Sequence, residues 1–336
     1  MDRSKITGAW LTTNRTCNNR CSFCYAQNAT GKDMSFENAK KCVDNICEMG
    51  IQRIVLIGGE PTIYKDIFEL ISYIRSKNIA VSLATNGRKF SDVEFAKKMV
   101  ELGISGINIS IKGFDEEEYV RNTGCNGFFE TIKGYHNLKS LNFNPVVSYV
   151  ITSDDQKTIN QLVDVLSQNS IDNILFQFVK PVVSPNSSPI MGMHDMGKMV
   201  DYIYQIMSNN SIKYKIEVSF PLCLIDENTL EHLIEENKIN TCCHVQAGRG
   251  IVFDTDSKIL PCNHFIGYHY SDNEVGVKSV EDINDVFYSE VAETFRETAR
   301  CYPSDKCSQC EKWDICGGGC FTRWLFEDPK KVIKGV

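Results

Sequence analysis

The sequence predicts an α/β fold: a partial, TIM-like (β/α)6 barrel followed by a small cysteine-rich C-terminal domain. Three observations carry this expectation. From Gly8 to about residue 215, short β-branched runs alternate with amphipathic segments, the rhythm of βα units on a parallel sheet. The rhythm gives six good strands and a poor seventh, short of a closed eight-stranded barrel. Nine of the 15 cysteines then lie from Cys223 onward, where the rhythm stops and glycines and short hairpin-like runs take over.

The predicted strands are 9–13, 53–57, 81–85, 106–111, 146–151 and 174–178. Helices are expected at 36–49 behind Ser35, at 92–102 behind Ser91, and behind Ser153 or Asp154 up to Gln168, because a hydroxyl or carboxylate at each start satisfies free backbone N–H groups. The proline-rich run 181–189 reads as a long loop near the barrel mouth, with a helix resuming at Asp195. Two domains are expected, 1–215 and 216–336. In the helix after the first strand, Cys42 and Cys47 share a stripe with Ala39, Val43 and Ile46 and read as core. Cys125 sits in a Gly-Cys-Asn-Gly turn and is given no role.

At 336 residues and 42% apolar content the chain can bury an ordinary core, and a net charge of -7 gives no electrostatic footprint for nucleic acid or an anionic membrane. No stretch reads as a signal peptide or membrane span, so a cytoplasmic location is expected. An odd cysteine total in that setting points to metal or redox chemistry.

Cys17, Cys21 and Cys24 are spaced C-x3-C-x2-C. Such a loop can wrap three thiolates around a cubane iron-sulfur cluster and leave the fourth iron open, whereas structural zinc closes all four positions with paired ligands. Downstream, the strand 53–57 runs into Gly58-Gly59-Glu60-Pro61, a bend that exposes backbone groups at a strand's carboxyl end.

Together, the cysteine loop with Phe23 at its aromatic position and the GGEP bend resemble the radical S-adenosylmethionine (SAM) enzymes, over residues 7 to about 215. The resemblance implies a partial (β/α)6 barrel, a 4Fe-4S cluster on the three cysteines, and reductive cleavage of SAM to a 5'-deoxyadenosyl radical. It implies that the backbone of Gly58, Gly59 and Glu60 binds the methionine amino group. Asn86 lies in the matching Thr-Asn-Gly, Ser110 takes the place of the ribose-binding serine, and Arg121 that of the carboxylate-binding arginine. Lys112 stands where an acid is usual. By residue type alone, Ser110 also reads as a strand-end hydroxyl and Arg121 as a surface arginine.

Cys307, Cys310, Cys316 and Cys320 are spaced C-x2-C-x5-C-x3-C, with three glycines in the last gap that would let backbone amides approach cluster sulfurs. A zinc ribbon shares this type of spacing. The pattern resembles the SPASM extension of radical SAM enzymes, which implies one or two auxiliary 4Fe-4S clusters. The first would take Cys243 or Cys242, Cys262 and Cys320, with Cys223 as a further candidate; Ser257 stands where a glycine is usual. The second would take Cys307, Cys310 and Cys316. Its usual downstream fourth cysteine does not occur before Val336, which leaves Cys301, an open site or a longer native chain. Asn263 replaces the aspartate base of the sulfatase-maturing members, and His264 is the neighbouring candidate base.

The expected function is abstraction of hydrogen from a ribosomal peptide, installing a thioether or carbon–carbon crosslink by two-electron oxidation. The expected partners are that peptide, an external electron donor such as flavodoxin or ferredoxin, and a separate leader-peptide-binding protein, because no leader-recognition domain precedes Cys17. The alternatives are a redox-neutral epimerase of a peptide residue or aminosugar with Cys223, Cys242 or Cys243 returning hydrogen, a dehydrogenase of a small alcohol, and a non-enzymatic iron-sulfur scaffold.

Overall fold

The computed structural model describes residues 6–26, 29, 31–181, 191–241, 243–271 and 276–333. Cys242 and most of the run 181–189 lie outside them. Strands β1 (Gly8–Thr12), β2 (Arg53–Ile57), β3 (Ala80–Thr85), β4 (Gly106–Ile111), β5 (Val146–Ile151) and β6 (Asn173–Phe178) pair in chain order, all parallel. The crossovers carry helices α1 (Phe36–Glu48), α2 (Ile67–Ser76), α3 (Val93–Glu101), α4 (Glu116–Thr123), α5 (Phe128–Ser140) and α6 (Gln156–Gln168). After β6 come α7 (Met193–Met207), β7 (Lys213–Glu217), α8 (Glu227–Glu235) and β8 (Ile239–Asn240). The sheet is an open barrel wall with ten strands, β8 at one edge.

Side-chain alternation explains the layering. Ile107, Ile109 and Ile111 of β4, like Ile174, Phe176 and Phe178 of β6, are buried beneath the helices. The residues between them, Asn108, Ser110, Leu175 and Gln177, point to the concave side. That side is apolar toward β2, where Val55 and Ile57 cluster with Trp10, Val252, Leu260 and Ile266. It becomes polar toward β7.

The strand predictions agree with the observed bounds to within one residue. Ser35 caps α1, its side chain accepting from the Asn38 amide. The caps of α3 and α6 differ from expectation: Asp92 and Asp155 serve, because Arg88–Ser91 is already wound into a tight 3-10 turn and because Asp155 accepts from the Lys157 amide. The helix expected at Asp195 begins two residues earlier, at Met193. Cys42 is buried in α1 and Cys47 packs against the same core.

The expected boundary at residue 215 falls inside β7, and the sheet does not stop there. Beyond α9 (His244–Ala247), β9 (Gly250–Phe253) pairs in parallel with β1, with Ala9 opposite Ile251, and β10 (Ile259–Leu260) folds back on it. The otherwise open β1 edge is thereby covered, satisfying a row of backbone groups that would template aggregation. Helices α10 (Val280–Phe287) and α11 (Glu290–Ala299) follow. Among the described residues no helix is long and apolar enough to cross a membrane.

The last turns are fastened to the barrel rim. The Cys320 amide donates to the Ser219 carbonyl at 3.0 Å. Gly319 has φ +78, and a Cβ there would come within 2.5 Å of Phe220 Cα. A Gly319→Ala substitution meets both a backbone penalty and a clash, and should destabilise the protein by roughly 2 kcal/mol in equilibrium unfolding. An unchanged unfolding midpoint would show that this rim contact is dispensable.

Candidate functional site

The segment leaving β1 lies directly on the bend that follows β2. The Gly59 amide donates to Asn14 O at 2.8 Å and the Glu60 amide to Thr16 O at 2.9 Å. The Asn14 side-chain amide answers by donating to the carbonyls of Thr16 and Glu60, both at 2.9 Å. A Cβ on Gly58 would meet Asn14 Oδ1 at 2.5 Å, and one on Gly59 would meet Thr16 O at 2.3 Å. The two glycines are therefore required by the cysteine loop itself. Their exposed-backbone role narrows accordingly: with the Gly59 and Glu60 N–H groups engaged, the bend has carbonyl oxygens to offer an ammonium.

The Glu60 side chain is 1% exposed and accepts four hydrogen bonds: from the Thr62 amide at 3.1 Å, the Thr62 hydroxyl at 2.6 Å, the Thr85 hydroxyl at 2.6 Å and the Asn86 amide at 2.7 Å. This carboxylate clamps the carboxyl ends of β2 and β3 together. From the second strand end, Asn86 Nδ2 donates to Asn18 Oδ1 at 2.6 Å, and Arg88 Nη1 donates to Asn18 O and Asn19 Oδ1 at 2.6 and 2.9 Å. Asn19 in turn donates to the Tyr119 hydroxyl at 2.9 Å, and the amides of Arg20 and Ser22 donate to the carbonyls of Thr123 and Asn122. Nearly every residue between the cysteines is thus tied down from outside the loop.

The remaining expected SAM-site residues are less uniform. Ser110 accepts from Lys112 Nζ at 2.6 Å, and that ammonium lies 5.3 Å from the centre of the Phe23 ring. Lys112 therefore reaches the cysteine loop from the position where an acid was expected. Arg121 is on the exposed flank of α4, 3.3 Å from Glu117. Cys125, given no role from sequence, packs behind the loop, donating to the carbonyl of Asn18 at 3.4 Å.

The C-terminal half supplies the opposite wall. Tyr25, next to Cys24, stacks obliquely on His264 with ring centres 4.8 Å apart, and the Asn263 side chain lies near its hydroxyl. The turn Cys262-Asn263-His264 is thus in contact with the first cysteine loop. Cys320 and Cys243 are near Cys262, and burial with these neighbours pushes the Cys262 thiol up to about 12. Burial, aided by the Lys180 charge, brings His264 down to about 3, leaving a neutral imidazole of low basicity. Lys180 Nζ is 2.5 Å from Glu217 Oε1, and Gln177 Nε2 donates to Glu217 Oε2 at 2.7 Å. Burial opposes the Lys180 charge, but Glu217 outweighs it and holds the ammonium above its ordinary range. The same pairing holds Glu217 below its own range against burial. Sequence reading missed this pair; the signal was Gln177 and Glu217 at inward positions of adjacent strands.

The donor set fits iron-sulfur clusters. Burial pushes the Cys17 thiol up to about 11 and, against the Lys112 charge, raises Cys21. Arg323 is 1% exposed, and its hydrogen-bond partners are neutral: it donates to Ser219 O at 2.8 Å, Val179 O at 2.7 Å and Ser219 Oγ at 2.9 Å. The acids that act on this buried guanidinium are Cys320 and Glu327, so a thiolate at Cys320 would add to the charge that balances it. Among the described residues, the only three His, Cys, Asp or Glu ligand atoms within 4.8 Å of one another belong to Asp254, Asp256 and His269.

Comparison with known proteins agrees with this chemistry. The Radical SAM superfamily profile matches residues 11–168. The chain is 33% identical over 169 residues to the Fe-coproporphyrin III synthase of Methanosarcina barkeri, covering 48% of this chain and 41% of that protein. It is 30% identical over 176 residues to a probable GTP 3',8-cyclase of Sulfolobus acidocaldarius, covering 51% of this chain and 56% of that one. The match thus spans about half the length of these curated relatives. In fold, 97% of the chain and 76% of the neighbour superimpose on Streptococcus suis SuiB bound to S-adenosylmethionine (TM-score 0.74, 19% identity). Likewise 94% of the chain and 89% of the neighbour superimpose on anSMEcpe with bound AdoMet and Kp18Cys peptide (TM-score 0.71, 18% identity).

Glu60→Gln tests the clamp. An amide cannot accept all four bonds, so one buried donor is left facing another; the expected cost is roughly 2–3 kcal/mol in unfolding, with weaker retention of iron after reconstitution. Wild-type stability and iron content would contradict it.

Proposed function

We infer, from the premise that residues 11–168 of this chain form a radical SAM domain, that the protein oxidises a ribosomal peptide by two electrons and installs a crosslink in it. The supporting observation is the contact of Tyr25 with His264 and Asn263, which sets the C-terminal cysteines against the loop of Cys17, Cys21 and Cys24. A fold likeness running through both halves, to SuiB bound to S-adenosylmethionine and to anSMEcpe bound to AdoMet and a peptide, supports the same reading. The names of the curated relatives point to other reactions, but over only about half of those proteins.

SAM and a 4Fe-4S cluster are the cofactors of the domain, and when bound they supply a reductive cleavage whose adenosyl product can take a hydrogen atom. The chain's residues position and enclose that chemistry. Cys17, Cys21 and Cys24 hold the cluster; the carbonyls of the Gly58-Gly59-Glu60 bend, with Asn86, Ser110 and Arg121, are proposed to bind SAM. The concave face holds the peptide between its apolar patch at Val55 and Ile57 and its polar Gln177, Lys180 and Glu217. Cys243, Cys262 and Cys320 hold an auxiliary cluster. The oxidation balances with one substrate hydrogen ending in 5'-deoxyadenosine, the second leaving as a proton to solvent, and the remaining electron going to an external acceptor; a cluster held by Cys243, Cys262 and Cys320 would supply an outlet for that electron. His264, neutral and of low basicity, is placed as a wall between the two sulfur sites.

The test is anaerobic turnover with SAM, a reductant and precursor peptides encoded near the gene. The expected result is 5'-deoxyadenosine formation, a peptide lighter by two hydrogens, and both falling to background in Cys21→Ala. A peptide of unchanged composition that gains one solvent deuterium would overturn crosslinking in favour of epimerisation.

A further inference from the structure

We propose that Cys223 is the fourth ligand that closes a second auxiliary cluster on Cys307, Cys310 and Cys316, making it a site with four protein thiolates and no open iron. The proposal deepens the function above and rests on its iron-sulfur reading of the C-terminal half.

The geometry brings a distant segment to the cysteine motif. Cys307 lies in the 3-10 turn Asp305–Gln309, the Cys310 amide donates back to Cys307 O at 3.3 Å, and Cys316 ends the short helix Trp313–Cys316. These turns hold three sulfurs on one side. Cys223 arrives from the rim beyond β7, in the 3-10 turn Leu222–Leu224. The amide of its neighbour Leu222 donates to the Cys316 sulfur at 3.4 Å. Gly319, pressed on Phe220, and Cys320, bonded to Ser219, fix the approach of the two segments. Cys316, Cys307 and Cys310 are the cysteines within electrostatic reach of Cys223.

Two further features suit a cluster here. The backbone amide of Leu222 donates to the Cys316 sulfur and that of Gly319 to the Cys316 carbonyl at 3.1 Å; an amide aimed at a sulfur is the usual way a protein lowers the charge density on a ligating thiolate. The three consecutive left-handed glycines Gly317, Gly318 and Gly319 allow that approach. Cys301, the substitute expected from sequence, donates instead to the carbonyl of Glu297 on the helix just before it, at 3.5 Å. Four ligands leave no coordination position for substrate, so this centre is a passage for electrons. Cys223 is accordingly a ligand, not the spare thiol a redox-neutral epimerase needs.

The experiment uses the full chain, reconstituted anaerobically with iron and sulfide, in a background of Cys17, Cys21 and Cys24 all changed to Ala so that only C-terminal iron is counted. Adding Cys223→Ala is expected either to remove about four irons per chain or to leave a three-iron cluster, visible by electron paramagnetic resonance after mild oxidation and absent from the parent. Adding Cys301→Ala is expected to change neither. Iron content and spectra unaffected by Cys223→Ala, loss caused by Cys301→Ala instead, or about one zinc held in place of a cluster would each overturn the proposal. Circular dichroism identifies a variant that has failed to fold; Cys223→Ser then replaces it, with the same expectations. Should the otherwise unaltered protein form no 5'-deoxyadenosine while these iron counts hold, the functional reading fails and the ligand assignment stands.

Discussion

A buried carboxylate joined to two strand ends governs this molecule. Glu60 takes hydrogen bonds from Thr62, Thr85 and Asn86 and so fixes the distance between the mouths of β2 and β3. Onto that platform the segment Asn14 to Thr16 is laid so closely that neither Gly58 nor Gly59 has room for a side chain. Three thiols on an irregular loop have no ladder of their own to hold them. Their geometry is inherited from the sheet through Glu60, Asn86 and Arg88.

The second half reaches the same place by a longer route. Its strand β9 pairs with β1, and a buried ion pair between Arg15 and Asp254 ties the residue ahead of the first cysteines to the turn beyond β9. His264 and Asn263 then meet Tyr25 just beyond Cys24. The chain thus builds one chamber from two sequence-distant ends, with a concave sheet face as its floor. Buried cations are placed on its C-terminal side: Lys180 is balanced by Glu217, whereas Arg323 is held by carbonyls. The acids that act on Arg323 are Cys320 and Glu327.

Much of this was legible in the sequence because it is local. Alternating apolar residues in β4 and β6 and the capping Ser35 declare themselves within a few positions. Cap choice at Asp92 and Asp155 was harder, since several oxygen-bearing residues adjoin and only the turn geometry selects one. Long-range facts left no such trace. Nothing in Gly250 to Phe253 announces a partner more than two hundred residues away, so the sheet was expected to end near 215. The glycine bend was identified by its motif, yet its steric cause, the carbonyl of Thr16, becomes visible only in three dimensions. Cys223 stands alone in the sequence, 84 residues before Cys307, and its neighbours emerge only when the rim beyond β7 folds onto Cys316.

The central claim is that Cys17, Cys21 and Cys24 present an open iron to SAM while the iron held by the C-terminal cysteines does not bind it. Mössbauer spectra of the 57Fe-loaded protein with and without SAM test it most directly. The account predicts that one iron of one cluster changes its spectrum on adding SAM and that all the remaining iron is unaffected. Spectra identical with and without SAM, or a change spread over the iron held by the C-terminal cysteines, would contradict it.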